Sequence, residues 1–144
     1  MIETQELPAR LATREDIPEI RRILEHPEVR SSWPGLTIEG KPWEEAFDDI
    51  LWYIFDGGVF IAEINERWEM RAHAAVLPEA RGQKAIDAAR FIIDTLFSQT
   101  PVSMIEGWTP TSNRAACAFN RALGFRACAT DGDWTLFVRG KGVS

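Results

Sequence analysis

The sequence predicts a mixed α/β fold, and three observations lead to that prediction. Segments with the apolar spacing of helices alternate along the chain with short segments typical of strands. The length of 144 residues is that of one ordinary domain, which is large enough to bury its own core. No repeat, linker or low-complexity tract interrupts the pattern. We therefore expect a single domain over residues 1–144.

The composition is typical of a globular protein that stays in the cytoplasm. Hydrophobic residues make up 45% of the chain and charged residues 26%, both near the averages of soluble proteins. No apolar run approaches the roughly 20 residues that a membrane-spanning helix needs. The opening MIETQELPAR carries acids where a signal peptide carries Lys or Arg, and no apolar stretch follows it. We expect a cytoplasmic protein without a membrane partner.

The charge balance argues against nucleic acid as a partner. The chain has 16 Lys and Arg against 22 Asp and Glu, with a formal net charge of −6 and a pI of about 5.0. A protein that binds DNA or RNA usually presents a basic stripe to the phosphates, and no such stripe is visible. A small anion held by backbone N–H groups is still compatible with this acidic chain.

The first half of the chain predicts one strand and two helices. Residues 9–13 have the pattern of a short strand, and Asp16 then has the place of an N-cap for a helix that ends near Glu25. Residues 26–42 contain three prolines and two glycines, which is typical of a loop. Apolar residues at helical spacing predict a second helix over residues 43–53.

The second half of the chain alternates strands and helices. Glycines, prolines and polar turn residues separate the segments, and a Gly closes the last helix. The predicted order is a strand at 59–64, a strand at 68–76, a helix at 85–99, a strand at 104–109, a helix at 113–123 and a hairpin at 127–138.

The cysteines and histidines do not have the spacing of a metal site. Cys117 and Cys128 form no C-x-x-C motif, and neither His26 nor His73 stands at a ligand spacing from them. We expect two reduced thiols that pack as small apolar side chains, and no bound metal.

The turn between the third predicted strand, at residues 68–76, and the long helix is a candidate anion site. The N–H groups at the start of a helix have no carbonyl partner, and they favour negative charge. Gly82 lets the backbone approach a ligand closely, while Arg81 and Lys84 add positive charge. Together they suit a pyrophosphate, although an ordinary strand-to-helix turn with two exposed basic residues has the same pattern.

Two motifs resemble the GNAT family of acetyl-CoA-dependent N-acetyltransferases. They are VLPEARGQKA at residues 76–85 and NRAACAFNRALGF at residues 113–125. The resemblance implies a mainly antiparallel central sheet with helices on both faces. The segment RAHAAVLPEARGQKAIDAAR is also similar to GNAT-like proteins of tailed phages, some of which are assigned to head assembly. A phage protein would work in the host cytoplasm.

The resemblance implies acetyl-CoA as cosubstrate. The family's pyrophosphate motif, Gln/Arg-x-x-Gly-x-Gly/Ala, falls on residues 79–84, where Gly82 matches. Glu79 replaces the first residue, and Lys84 replaces the last small residue, so that its side chain either crowds the diphosphate or pairs with it. The implied cofactor-binding residues are Val76, Leu77, Arg81, Gly82, Gln83, Lys84, Ala85 and Asn113.

The resemblance also places a catalytic base on the strand before the turn. Strand alternation puts Glu69 and His73 on one polar face, about 13 Å apart at roughly 3.3 Å per residue. Glu69 stands where several family members have a glutamate base, and His73 is a residue type suited to proton transfer near neutral pH. Both stay candidates. Trp33 and Trp43 flank the loop that lines the acceptor site in this family, so the resemblance implies that both are substrate-binding residues.

One residue departs from the family pattern. Many GNAT enzymes have a Tyr seven residues after the motif Asn, where it protonates the CoA thiolate, but the corresponding residue here is Asn120. The only tyrosine is Tyr53. We expect the protein to be a weakly active enzyme that transfers an acetyl group to a small-molecule or peptide amine. The alternative is an inactive GNAT-like CoA-binding or phage assembly protein, and formation of a homodimer is left open.

Overall fold

One large sheet with helices on both faces forms the described part of the chain, which comprises residues 7–31, 33, 37–38 and 40–142 of a computed structural model. The strands are β1 (Arg10–Leu11), β2 (Thr37–Ile38), β3 (Lys41–Pro42), β4 (Leu51–Phe55), β5 (Gly58–Ile64), β6 (Met70–Val76), β7 (Met104–Pro110), β8 (Arg126–Asp131) and β9 (Trp134–Gly140). The helices are α1 (Ile17–Leu24), α2 (Pro27–Arg30), α3 (Gln83–Gln99) and α4 (Arg114–Ala122).

The sheet has one parallel contact among antiparallel ones. Within the described residues its order is β1-β4-β5-β6-β7-β9-β8, and β2 pairs only with β3. Strands β6 and β7 run parallel and pair only at Met70 with Ile105 and at Arg71 with Glu106. By contrast, β6 is paired with β5, and β7 with β9, along their full lengths. The predicted mixed, mainly antiparallel fold is therefore confirmed.

Each face of the sheet carries its own core. The α3 core joins Ile92, Ile93 and Leu96 of that helix to one face, and the α1 core joins Ile20, Ile23 and Leu24 to the other. Successive residues of a strand point to opposite faces. On β5, Phe60 and Ala62 belong to the α3 core, whereas Val59 and Ile61 belong to the α1 core.

The predicted helix over residues 43–53 is wrong. A 3₁₀ turn occupies Phe47–Asp49, and strand β4 begins at Leu51. Trp52 and Ile54 join the α1 core, while Tyr53 and Phe55 join the α3 core. A strand buried on both faces is a continuous apolar run, which periodicity alone does not distinguish from a buried helix.

The predicted loop over residues 26–42 contains short elements in its described part. His26 caps α2 by accepting a hydrogen bond at Nδ1 from the N–H of Glu28 at 3.2 Å. The hairpin of β2 and β3 follows. The residues between α2 and this hairpin are described only in part.

Asp16 precedes α1 as predicted, but its carboxylate turns away from that helix. It accepts hydrogen bonds from the Thr13 N–H at 2.8 Å and from both terminal nitrogens of Arg10 at 2.8 Å. The hydrogen bond from Arg10 lowers the pKa of Asp16 to about 2. This cluster ties β1 to the start of α1.

The remaining predicted elements are confirmed, with most boundaries shifted by one or two residues. Strand β6 begins at Met70 rather than Trp68, because residues 65–69 form the hairpin turn. Trp68 has φ of 60°, which residues other than glycine rarely adopt. The side-chain oxygen of Asn65 accepts hydrogen bonds from the N–H groups of Arg67 and Glu69 at 2.9 and 3.0 Å.

Candidate active site

Strands β6 and β7 separate after their second residue pair, and a cavity of about 480 Å³ lies where they part. Gly107 marks the last close approach, because a Cβ atom there would stand 3.0 Å from the carbonyl oxygen of Ala72. We call this cavity the strand opening. Its walls come from β6, β7, α2, the turn before α3, and α4.

The N-terminus of α3 borders one side of the strand opening. A 3₁₀ turn at Pro78–Ala80 connects β6 to Gly82, the N-cap of α3, whose φ is 136°. The space beside Gly82 is open, since no atom lies within 4 Å of the position a Cβ atom would take. The first helical hydrogen bond runs from the N–H of Ile86 to the carbonyl of Gly82 at 3.1 Å. The N–H groups of the first turn thus have no carbonyl partner inside the helix.

The β4–β5 hairpin packs against the turn between β6 and α3 and holds it in place. The N–H of Leu77 donates to the carbonyl of Gly57 at 2.8 Å. A Cβ atom added at Gly57 would stand 2.3 Å from the Cβ of Ala80, and Gly57 has φ of 74°. Only a glycine fits both this contact and this backbone conformation.

The residues predicted to bind a cofactor divide into two groups. Val76, Arg81, Gly82 and Asn113 line the strand opening, and the Nε–H of Arg81 donates to the carbonyl of Val76 at 3.3 Å. The side chains of the other predicted residues do not line it: Leu77 and Ala85 are buried in the two cores, Gln83 bonds to Asp87, and Lys84 pairs with Asp56.

Helix α4 forms the wall opposite α3. Asn113 caps it, with its side-chain oxygen accepting a hydrogen bond from the N–H of Ala116 at 3.1 Å. Asn120 lines the strand opening and donates to the hydroxyl of Thr109 at 2.9 Å. Tyr53 is buried in β4, outside the strand opening, and burial raises the pKa of its hydroxyl. It does not replace the tyrosine that position 120 lacks.

His73 lies on the opposite side of the sheet, toward α2. Its Nε2 stands 3.1 Å from Oε2 of Glu63, and its ring is stacked on Trp33 with centroids 5.2 Å apart and planes 1° apart. His73, Trp33 and Glu28 all line the strand opening. The opening therefore passes from the α3 face of the sheet to the α1 face between the two parted strands.

One predicted catalytic residue and one predicted acceptor-site residue also lie away from the strand opening. Glu69 lies in the β5–β6 turn, beside the end of β6 that is still paired with β7. Trp43 is only 4% exposed and packs against Trp52 in the α1 core. The predicted strand face is correct for His73, but the hairpin turn removes Glu69 from the strand.

Sequence reasoning missed Glu63 and Gly107. Glu63 reaches His73 only because the β5–β6 register pairs Ile61 with His73, which makes Glu63 its diagonal neighbour on the same face. A turn at residues 65–67, as the predicted strands imply, would have placed Ile64 opposite Trp68, whereas the structure pairs Ile64 with Met70, so the sequence did not indicate this register. Gly107 is a glycine inside a strand, a pattern that often marks a close approach of two backbones.

The described residues contain no group of three or more His, Cys, Asp or Glu side chains that could hold a metal ion. Cys117 is buried and Cys128 exposed, and both are free thiols. Among the helices of the described ranges, none combines the length and the apolar character needed to cross a membrane.

Comparison with solved structures identifies proteins of the same fold, whereas comparison of sequences identifies none. No protein-family model and no curated protein sequence matches this chain. Spermidine N-acetyltransferase from Vibrio cholerae, crystallised with CoA and spermine, is 15% identical, with a TM-score of 0.73 over 94% of this chain and 95% of that chain.

Two further structures lead to the same result. Aminoglycoside acetyltransferase AAC(6')-Ib, with coenzyme A and kanamycin, is 16% identical, with a TM-score of 0.71 over 92% of this chain and 94% of that chain. YncA from Salmonella typhimurium, with acetyl-CoA as its cofactor, is 14% identical, with a TM-score of 0.75 over 94% of each chain. The narrower similarity to phage proteins stays a prediction. The chain has the fold of the GNAT N-acetyltransferases.

Proposed function

We propose that this chain is an acetyl-CoA-dependent N-acetyltransferase that acts on a small-molecule primary amine, as a single domain of 144 residues. The observation that carries the proposal is the strand opening. It joins a helix N-terminus with unpartnered N–H groups on one side of the sheet to an imidazole on the other. An anionic cosubstrate and an amine could meet there from opposite faces.

The residues on the α3 side fit an acyl-CoA. The N–H groups of Gln83 and Lys84 point out of the first helical turn, and the open space beside Gly82 admits a diphosphate. The ammonium group of Lys84 does not fill that space, because it pairs with Asp56 at 3.1 Å and its side chain is 84% exposed. Ala72, Ala74 and Phe119 give the opening an apolar wall suited to a pantetheine arm.

His73 is the proposed general base. Acetyl-CoA supplies an activated thioester when bound, so the chain itself has to orient the amine and accept its proton. His73 lines the strand opening, and histidine is the side chain most often used for this proton transfer. Glu69, the other candidate, does not line the opening, so the geometry favours His73.

The acceptor is proposed to be a small, cationic or polar amine. The aminoglycoside and spermine bound by the structural neighbours are amines of this kind. On the α2 side of the opening, Glu28 offers a carboxylate and Trp33 an aromatic face, both of which attract an ammonium group.

Turnover is proposed to be slow. Asn120 stands where the family resemblance expects a tyrosine acid, and its amide is committed to Thr109. The thiolate of a thiol that ionises near pH 8.5 can leave without help from an acid. The absence of the tyrosine therefore lowers the rate of acetyl transfer but does not abolish it. The same residue favours the alternative, a CoA-binding protein without turnover. A slow enzyme releases the free thiol of CoA when acetyl-CoA is mixed with a panel of amines, whereas a protein that only binds CoA does not.

The test of cofactor binding uses two substitutions at Gln83, the first residue of α3. Gln83→Pro removes one N–H from the turn, and proline is well tolerated at a helix N1 position. The extended ψ of Gly82, −161°, is also compatible with a following proline. Gln83→Ala is the matched control, because it removes the side chain and keeps the N–H.

We expect calorimetry to show a CoA dissociation constant about tenfold weaker for Gln83→Pro, equivalent to about 1.4 kcal/mol. Gln83→Ala should stay within about twofold of the wild type, because it loses only an exposed hydrogen bond to Asp87. Thermal unfolding of each variant without CoA checks that the helix is intact. Absence of CoA binding to the wild type at millimolar concentration would end the proposal.

A further inference from the structure

The His73 imidazole is held by two groups that the sequence motifs do not contain. Glu63 approaches one ring nitrogen, and Trp33 covers one ring face. Building on the proposed function, we propose that Glu63 is a positioning residue that keeps the proton on Nε2 of His73. The nitrogen that receives the amine proton is then Nδ1.

The hydrogen-bond chemistry of the pair decides which nitrogen carries the proton. An ionised carboxylate accepts hydrogen bonds and cannot donate one. Since Oε2 of Glu63 lies 3.1 Å from Nε2, a neutral imidazole has to place its proton on Nε2 to make this contact. Nδ1 keeps its lone pair, and it has no hydrogen-bond partner among the residues that the structure describes.

The surroundings leave Glu63 available to His73. The side chains of Glu63 and His73 are only 18% and 28% exposed, so water screens the pair incompletely. Arg71, which the strand register places directly opposite Glu63, extends instead to Glu106 of β7 at 3.5 Å. Glu28 lies across the opening on α2. Within the described residues, His73 is the partner that the structure gives to Glu63.

Trp33 restricts the ring that Glu63 orients. The two ring planes are 1° from parallel with centroids 5.2 Å apart, so tilting the imidazole out of its plane would break the stack. A 180° rotation about the Cβ–Cγ bond keeps that plane but puts a ring carbon where Nε2 stands, so it would break the hydrogen bond to Glu63. This arrangement aims Nδ1 in one direction.

The proposed proton transfer balances as follows. The reacting amine enters the step in its neutral form, having released one proton to solvent. Its nitrogen uses its lone pair to form the bond to the acetyl carbon, and it loses a proton to Nδ1 of His73. The bond from that carbon to sulfur breaks, and its electron pair leaves with the sulfur as a thiolate. His73 is then an imidazolium whose charge is paired with Glu63, and it returns the proton to solvent or to the thiolate.

Nitrogen NMR of the resting protein tests the tautomer without any substrate. The chain has two histidines, so the two rings can be assigned by comparing wild type with His26→Gln. We expect a hydrogen-bonded, slowly exchanging Nε2–H signal from His73. It should persist in Glu63→Gln, whose amide oxygen still accepts, and disappear in Glu63→Leu. His26, which accepts at Nδ1 on an exposed helix cap, serves as the internal reference.

Steady-state kinetics separate orientation from charge. We expect kcat to fall roughly tenfold in Glu63→Gln and roughly 100-fold in Glu63→Leu, with KM for acetyl-CoA unchanged in both. Glu63→Gln has the shape of the native side chain and keeps its hydrogen bond to His73, so it tests the inference even if Glu63→Leu does not fold. An Nδ1–H signal for His73, or a Glu63→Leu enzyme at the wild-type rate, would overturn the inference. Failure of the wild type to bind CoA would overturn the proposed function and leave the tautomer result standing.

Discussion

The two sides of the strand opening present their chemistry in different ways. On the α3 side the groups proposed to bind the anion are the backbone N–H groups that follow Gly82, and the turn before them is held by the carbonyl of Gly57. On the α2 side they are side chains, with His73 placed between Glu63 and Trp33.

This difference has a consequence for mutation. A site made of backbone tolerates changes of side chain but is sensitive to changes of backbone conformation. A site made of side chains depends on each of them, because a polar group deprived of its partner loses both position and charge compensation. The following predictions test this contrast, from the largest expected effect to the smallest.

His73→Asn should have the largest effect on acetyl transfer. We expect kcat/KM to fall about 100-fold or more, because a general base typically contributes two to four orders of magnitude. The CoA dissociation constant should not change, since the α3 side is intact. Glu69→Gln is the control and should stay within about twofold of the wild type. A Glu69→Gln enzyme as impaired as His73→Asn would contradict the choice of His73.

Gly57→Ala should be the most destabilising substitution in the backbone of the α3 side. The new Cβ would meet that of Ala80 at 2.3 Å, and the residue would keep a φ of 74°. We expect the free energy of unfolding, measured with urea, to fall by about 2–3 kcal/mol. Gly132→Ala is the matched control, because Gly132 has a φ of 60° but no atom lies within 4 Å of the position its Cβ would take. We expect this substitution to lower the free energy of unfolding by only about 1 kcal/mol. Equal losses at both positions would show that the Ala80 contact is unimportant.

Asn120→Tyr should raise kcat by roughly tenfold if protonation of the thiolate limits turnover. The residue lines the strand opening, but its side chain bonds to Thr109 of β7 and not to the α3 turn, so the CoA dissociation constant should stay within about twofold. Asn120→Phe adds the ring without the hydroxyl and should not raise the rate. If the wild-type enzyme is fast and Asn120→Tyr does not change its kcat, no general acid is needed.

Lys84→Ala should have the smallest effect. The ion pair of Lys84 with Asp56 is exposed on both sides, so its charge is screened by solvent. We expect calorimetry to give a CoA dissociation constant within about threefold of the wild type. A loss of tenfold or more would show that a side-chain charge, rather than backbone N–H groups, holds the anion.

The comparison also shows why one side of the site was easier to predict than the other. The turn at residues 76–85 is contiguous, so its glycine, its basic residues and the start of α3 are all visible in one short motif. The pair of Glu63 and His73 depends on the register between two strands, and Trp33 comes from a segment some forty residues upstream of His73. Periodicity within a segment contains no information on such meetings.

The sequence by itself determined the fold class, the strand–turn–helix at the candidate anion site, the start of the last helix at Asn113 and the absence of a tyrosine at position 120. These depend on local backbone preferences and on residue identity. The tertiary structure alone decided that β4 is a strand, that β6 and β7 part after Arg71 and Glu106, and that Glu69 and Trp43 lie outside the cavity. The physical reason is that these features arise from pairing and burial between segments distant in the chain, where tertiary contacts override local pattern.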